Sequence, residues 1–153
     1  MLSFIIPPGH AWNHFSSSSK LGSMFFAQSP AEILTTAATT YPHIFKEAKL
    51  DPIDGRKRLS FVFDHEIGLC NVVALTDLTP EERDSIIEEE RDGIVVRIVH
   101  TTRTFPTREC QIILSSDNVV ITMFPGPMAP PLPRKGNHSD FWEGHVFIKA
   151  LSS

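Results

Sequence analysis

Residues 94–124 read IVVRIVHTTRTFPTRECQIILSSDNVVITMF. Three runs in this stretch are rich in Val and Ile: Ile94 to Thr102, Cys110 to Leu114 and Val119 to Phe124. Each is short, β-branched and bounded by turn residues, which predicts three successive strands rather than a helix. Asp117-Asn118 supplies the turn between the last two. Upstream, LSFVFD (Leu59 to Asp64) and NVVAL (Asn71 to Leu75) read as two more strands, with His65-Glu66-Ile67-Gly68 as the bend of a hairpin. Downstream, a proline-rich stretch from Pro125 to Pro133 leads to a last strand, His145 to Lys149.

Two helices are announced by their caps. Ser29-Pro30-Ala31-Glu32 has a capping serine, proline at the first helical position and Glu three residues after the cap. Ile33, Leu34, Ala37, Ala38 and Tyr41 follow at helical spacing, and Pro42 stops or kinks the run. Thr79-Pro80-Glu81-Glu82 repeats the signature and opens an acidic helix read to about Asp92, with Gly93 as its stop. Adjacent strands with few crossovers predict an α+β fold. The expectation is one antiparallel sheet of about five to six strands with two main helices. They form a single globular domain, 29–153, behind an N-terminal strand-and-loop arm, 1–28. In that arm Leu2, Phe4 and Ile6 suit a short strand ended by Pro7-Pro8, and Trp12 and Phe15 anchor a loop with the serine run 16–19.

The chain has 153 residues, 41% of them hydrophobic and 21% charged, which supports a packed core and excludes disorder over most of its length. Two cysteines 40 positions apart, Cys70 and Cys110, exclude a disulfide-dense scaffold and a cysteine-rich zinc module. Met1 to Ile6 is too short and lacks the basic start of a signal peptide. With no apolar run near membrane-spanning length, the expected location is the cytoplasm, with no membrane partner.

The formal net charge is -4. Residues 81–92 alone hold seven acids and two bases, so the rest of the chain is close to neutral. The acidic segment 79–92 is therefore a candidate docking surface for a basic protein, although a merely solvated face has the same composition. Arg97, Arg103 and Arg108 are a local excess of positive charge on the other side of Gly93.

Glycine-rich phosphate loops, a GxSxG elbow and HExxH are absent from the sequence. His10 and His14, and the sparse set His138, Asp140 and His145, do not make three-ligand metal sites, so no metal or other cofactor is expected. One polar set stands out on the strands. Arg97 interrupts an otherwise apolar strand, His100 lies on its other face, Arg103 follows its end, His65 ends an earlier strand and Thr122 sits inside VVITMF. Were these on one open face, His65 or His100 would move a proton, an arginine would neutralise a phosphorane, and Thr122 would position it. The competing reading makes Arg97 a partner of the acidic segment and His65 a hairpin cap.

The run Asn118-Val119-Val120-Ile121-Thr122-Met123-Phe124-Pro125-Gly126 resembles the closing strand of the barnase–EndoU–colicin–RelE group of small toxin ribonucleases. The layout of helices followed by an antiparallel sheet is similar as well, over residues 59–126. The resemblance implies a metal-independent ribonuclease with RNA as partner. Thr122 would be an active-site hydroxyl beside His65 or His100 and Arg97 or Arg103. The alternative expectation is a non-enzymatic protein-binding or immunity-type module docking through segment 79–92.

Overall fold

The computed structural model describes residues 3–12, 14–15, 23–129 and 140–150. Strand β1 (Met24–Phe25) precedes two helices, α1 (Pro30–Thr40) and α2 (Pro42–Glu47). Then come β2 (Lys57–Val62), β3 (Gly68–Leu69), β4 (Val72–Ala74) and the short helix α3 (Pro80–Asp84). The remaining strands are β5 (Ile87–Arg91), β6 (Ile94–Thr101), β7 (Pro106–Thr107), β8 (Glu109–Leu114), β9 (Val120–Pro125) and β10 (His145–Ala150).

The fold is α+β, as the sequence implies, but the strands form three small sheets with the orders β1-β3-β7, β2-β8-β9 and β4-β10-β6-β5. The pairing is not wholly antiparallel, because β10 runs parallel to β6. The expected hairpin of 59–64 with 71–75 does not form. β2 pairs instead with β8 (Leu59 opposite Ile112), and β4 pairs with β10 (Val73 opposite Val146). The residues between β2 and β4 reach a third partner: Gly68 and Leu69 pair with β1 on one side and β7 on the other. A Cβ on Gly68 would lie 2.5 Å from the carbonyl oxygen of Met24, so only glycine lets β1 approach this closely.

The first core lies between α1, α2 and the β2-β8-β9 sheet. Alternation along β2 buries Leu59 and Phe61 and exposes Arg58, Ser60 and Val62, as a sheet covered on one face requires. Ile33, Leu34 and Ala37 of α1 and Phe45 of α2 meet Phe61, Cys110, Ile112, Leu114, Val120 and Met123. Pro42 does interrupt the helix, and it also starts α2 as its first residue. The Tyr41 hydroxyl donates to the Val62 carbonyl at 2.9 Å, fixing the junction of the two helices to the sheet edge. Residues expected as an arm add Ala11, Phe15 and Phe25 to this core. The expected strand at Leu2 to Ile6 reduces, in its described part, to a single bridge between Ile5 and Val119. The serine run 16–19 and the last four residues of the proline-rich stretch, 130–133, lie outside the described residues.

The second core, beneath the β4-β10-β6-β5 sheet, consists of Val73, Leu78, Val99, Phe105 and Val146, with Cys70, Leu75, Ile86 and Ile148 against it. The acidic segment departs most from its expected form. Its capping box is present, with Thr79 accepting from the Glu82 N–H and Glu82 accepting from the Thr79 N–H. The helix then ends at Asp84, and Ile87–Arg91 is a strand paired with β6. The reason is Asp92-Gly93, with φ of 55° and 81°. Two central residues at positive φ make the hairpin turn that matches strand twist, so Gly93 reverses the chain rather than ending a helix. Glutamate is a good helix former, but intrinsic propensity is a weak determinant that cross-strand pairing overrides. Among the described residues, no helix is long and apolar enough to cross a membrane.

Candidate functional site

The five residues singled out in the sequence sit on separate parts of the fold. Thr122 is half-buried on β9 opposite Ile113, in the first sheet. His65 is exposed in the loop after β2, with its Nδ1 2.6 Å from the Asp64 carboxylate, which this contact holds below the usual carboxylate range. Arg97 and His100 are both half-buried on β6, on opposite faces of the strand. Arg103 follows β6, exposed. Thr122 belongs to the β2-β8-β9 sheet and His65 to the loop after β2, whereas the other three lie on or just after β6.

Both strand-associated arginines are engaged. The Arg97 guanidinium donates to the carbonyls of Trp142, Glu143 (3.0 Å) and His145 (3.4 Å). Its registered neighbour on β5 is Glu88, but the charge is spent on the carbonyls of a one-turn 3-10 helix, Asp140–Glu143. Arg97 thus clamps the entry to β10 against β6. This explains an arginine among valines: a half-buried guanidinium needs several acceptors, and the chain entering β10 presents three carbonyls together.

Arg103 donates to both carboxylate oxygens of Glu82, at 2.6 Å and 3.2 Å, and to the Asp77 carbonyl at 2.9 Å. Its guanidinium also lies 4.2 Å from the centre of the Phe105 ring. Glu82 additionally accepts from Thr101 Oγ1 at 3.2 Å. The Arg103 bonds first, and then the Thr79 N–H, pull the Glu82 carboxyl down to about 2.

Between the β4-β10-β6-β5 sheet and the segment 103–109 that contains β7 runs a cleft of about 500 Å³ that sequence reading did not assemble. Its ionisable lining is Cys70, Asp77, Arg103, Glu109 and His145. His145 Nδ1 lies 2.8 Å from the Phe141 carbonyl, which makes Nδ1 the protonated nitrogen of the neutral ring and leaves Nε2 as the basic one. The ring stacks on Phe141 at 3.8 Å. The Cys70 thiol donates to the Phe105 carbonyl at 3.4 Å. Burial, and then the charges of Glu109 and Asp77, push it up to about 11, so it is a thiol and not a nucleophilic thiolate near neutral pH. Since Arg103 is already matched by Glu82, Asp77 and Glu109 leave the cleft with an acidic balance that opposes an anionic substrate. No family model, curated protein or solved structure matches this chain.

Among the described residues no group of three His, Cys, Asp or Glu side chains is placed to hold a metal ion. Of the histidines weighed as ligands, His14 Nδ1 lies 3.1 Å from the Ser23 carbonyl, while His138 and the side chain of His10 lie outside the described residues. Cys70 and Cys110 are both free thiols.

The other distinctive surface is β5, the edge of its sheet. Ile87, Glu88, Glu89 and Glu90 are all exposed. In a two-residue hairpin the pair flanking the turn, here Arg91 and Ile94, exchanges both of its bonds. Alternation then directs the backbone N–H and C=O of Glu88 and Glu90 away from β6. Among the described residues no other strand pairs with this edge. The dipeptide Asp92-Gly93, directly ahead of the Ile- and Val-rich run 94–99, is the sequence signal for this hairpin.

Proposed function

We propose that this chain is a non-enzymatic binding module that takes up a basic, extended segment of a partner protein along β5. The observation that carries the reading is the outward backbone edge of Glu88 and Glu90 on a strand whose exposed side chains are acidic. Strand addition supplies main-chain hydrogen bonds for affinity, and the glutamates select lysine and arginine over acidic or apolar segments. The same glutamates disfavour edge pairing between two copies of this chain, because like charges would face each other. A toxin-type ribonuclease has less support. Thr122 and His65 lie outside the sheet that carries Arg97, the Arg97 and Arg103 guanidiniums are engaged, and the inter-sheet cleft is acidic.

The test uses a fluorescent peptide of alternating Lys and Val and the full chain. Saturable binding is expected, weakening as salt rises. Charge reversal at Glu88 and Glu90 together should weaken it at least ~10-fold. Glu90→Pro removes only an outward N–H, so the hairpin persists while binding falls. Salt-insensitive binding, or binding unchanged in Glu90→Pro, would overturn strand addition. RNA cleavage in EDTA that is lost in Thr122→Ala would replace this reading with the ribonuclease.

A further inference from the structure

A groove of about 740 Å³ lies on the opposite core, between α1 and residues 4–6. One wall is a single stripe of α1, with Ala31, Leu34, Thr35 and Ala38, and the facing wall is Phe4 and Ile6. Its far end is closed by α2 through Pro42 and Lys46. From Ala31 to Pro42 the trough runs about 16 Å along the helix axis.

The stripe is unusual for its side-chain sizes. Ile33 and Ala37 face the core and Leu34, itself buried, forms the groove's floor, whereas the rest of the stripe is alanine and threonine. The result is a trough with aliphatic and aromatic walls, hydroxyls along one rim and, among the described residues, a single ionisable lining group, Lys46, at one end. Among the described residues Lys46 has no ion-pair partner. The volume falls within the range of small-ligand sites, about 300–1,000 Å³. A wall on one side and an end-stop at α2 suit a narrow occupant better than a partner helix, which is about 10 Å across.

We propose that this groove binds a single-chain amphiphile: an alkyl monocarboxylate with its chain along α1 and its carboxylate at Lys46. The apolar walls recover the free energy of removing methylenes from water, about 0.8 kcal/mol for each one buried. The lone cation selects a head with one negative charge and gives the bound chain its direction. This site is on the other core from β5, and its occupancy does not depend on the docking reading.

The experiment is calorimetric titration of the full chain with dodecanoate below its micelle concentration, with dodecan-1-ol as the uncharged control. Saturable one-to-one binding of dodecanoate is expected. Ala38→Trp fills the trough and should abolish binding of both ligands. Lys46→Glu should weaken dodecanoate at least tenfold and leave dodecan-1-ol unchanged. If Ala38→Trp lowers the melting temperature, Thr35→Trp, at an exposed position, serves in its place. Absence of saturable binding, or dodecanoate affinity unmoved by either tryptophan or by Lys46→Glu, overturns the proposal. A concentration-dependent dimer dispersed by Ala38→Trp would assign the groove to a second copy instead, and would equally overturn it.

Discussion

Removing the Glu82 carboxylate should loosen the second core at one identifiable joint. Glu82 closes the α3 capping box through the Thr79 N–H, at 2.9 Å, and binds Arg103 and Thr101 beyond the end of β6. One carboxylate therefore ties the helix start to the strand that follows it by some twenty residues. Loss of a cap bond costs about 1 kcal/mol, which lowers the melting temperature by about 2–4 °C in a domain of this size. Glu82→Ala should show at least that. Glu82→Gln keeps an oxygen for the Thr79 N–H but loses the charge, so its effect should be smaller and should fade with salt, because Arg103 is 43% exposed. The pH dependence has a fixed sign. The folded carboxyl titrates at about 2, below its ordinary 4.5, so the charged form stabilises the fold above 4.5. That contribution is lost as pH falls from 4.5 towards 2. Thermal melts of the wild type and Glu82→Gln between pH 7 and pH 3 should therefore differ most at neutral pH and converge on acidification. A difference that stays constant down to pH 3, or Glu82→Ala melting with the wild type at pH 7, would refute the reasoning.

Gly93→Val places a β-branched residue at a φ of 81° and should open the β5–β6 hairpin. Amide exchange should then lose protection in β5 while β2, β8 and β9 keep theirs; retained protection in β5 would contradict the turn assignment. Maleimide labelling at pH 8 followed by mass spectrometry should modify Cys70 slowly, since its half-buried thiol titrates at about 11. Cys110, fully buried and with its thiol pushed still higher by burial, should label only on global unfolding. Labelling of Cys110 ahead of Cys70 would show that the first core is less closed than its packing implies.

Much of the first core is legible in the sequence because its signals are local. Ser29-Pro30 starts α1, Pro42 interrupts it, and Asp117-Asn118 turns β8 into β9, with Asn118 at a φ of 62°. Glu82 closes its box with Thr79 as the spacing predicts, whereas Ser29 stands at the start of α1 without a side-chain cap bond. What escapes sequence reading is set by partners distant in the chain. β2 resembles half of a hairpin with the next strand, yet its partner is β8, some fifty residues on. Ile87–Arg91 has a helix-compatible composition and becomes a strand because β6 lies across the Asp92-Gly93 turn. Arg97 is visible as an oddity, but the carbonyls that explain it come from residues 142–145. The inter-sheet cleft draws Cys70, Asp77, Glu109 and His145 from four separate segments, so no spacing rule gathers them.

The position of β10 bears on the order in which the molecule assembles. It is the last described strand in the chain, yet it lies in the middle of its sheet, bonded to β4 on one side and β6 on the other. While the ribosome is still working through the preceding segment, β4 and β6 have no common neighbour to hold them together. The β5–β6 ribbon is free to close early, whereas its inner margin stays raw until residues 145–150 emerge. Such long-range closure is slow relative to local pairing. For that interval the nascent chain carries a sticky seam that a holdase, or a misplaced strand from a neighbouring polysome product, is able to occupy first.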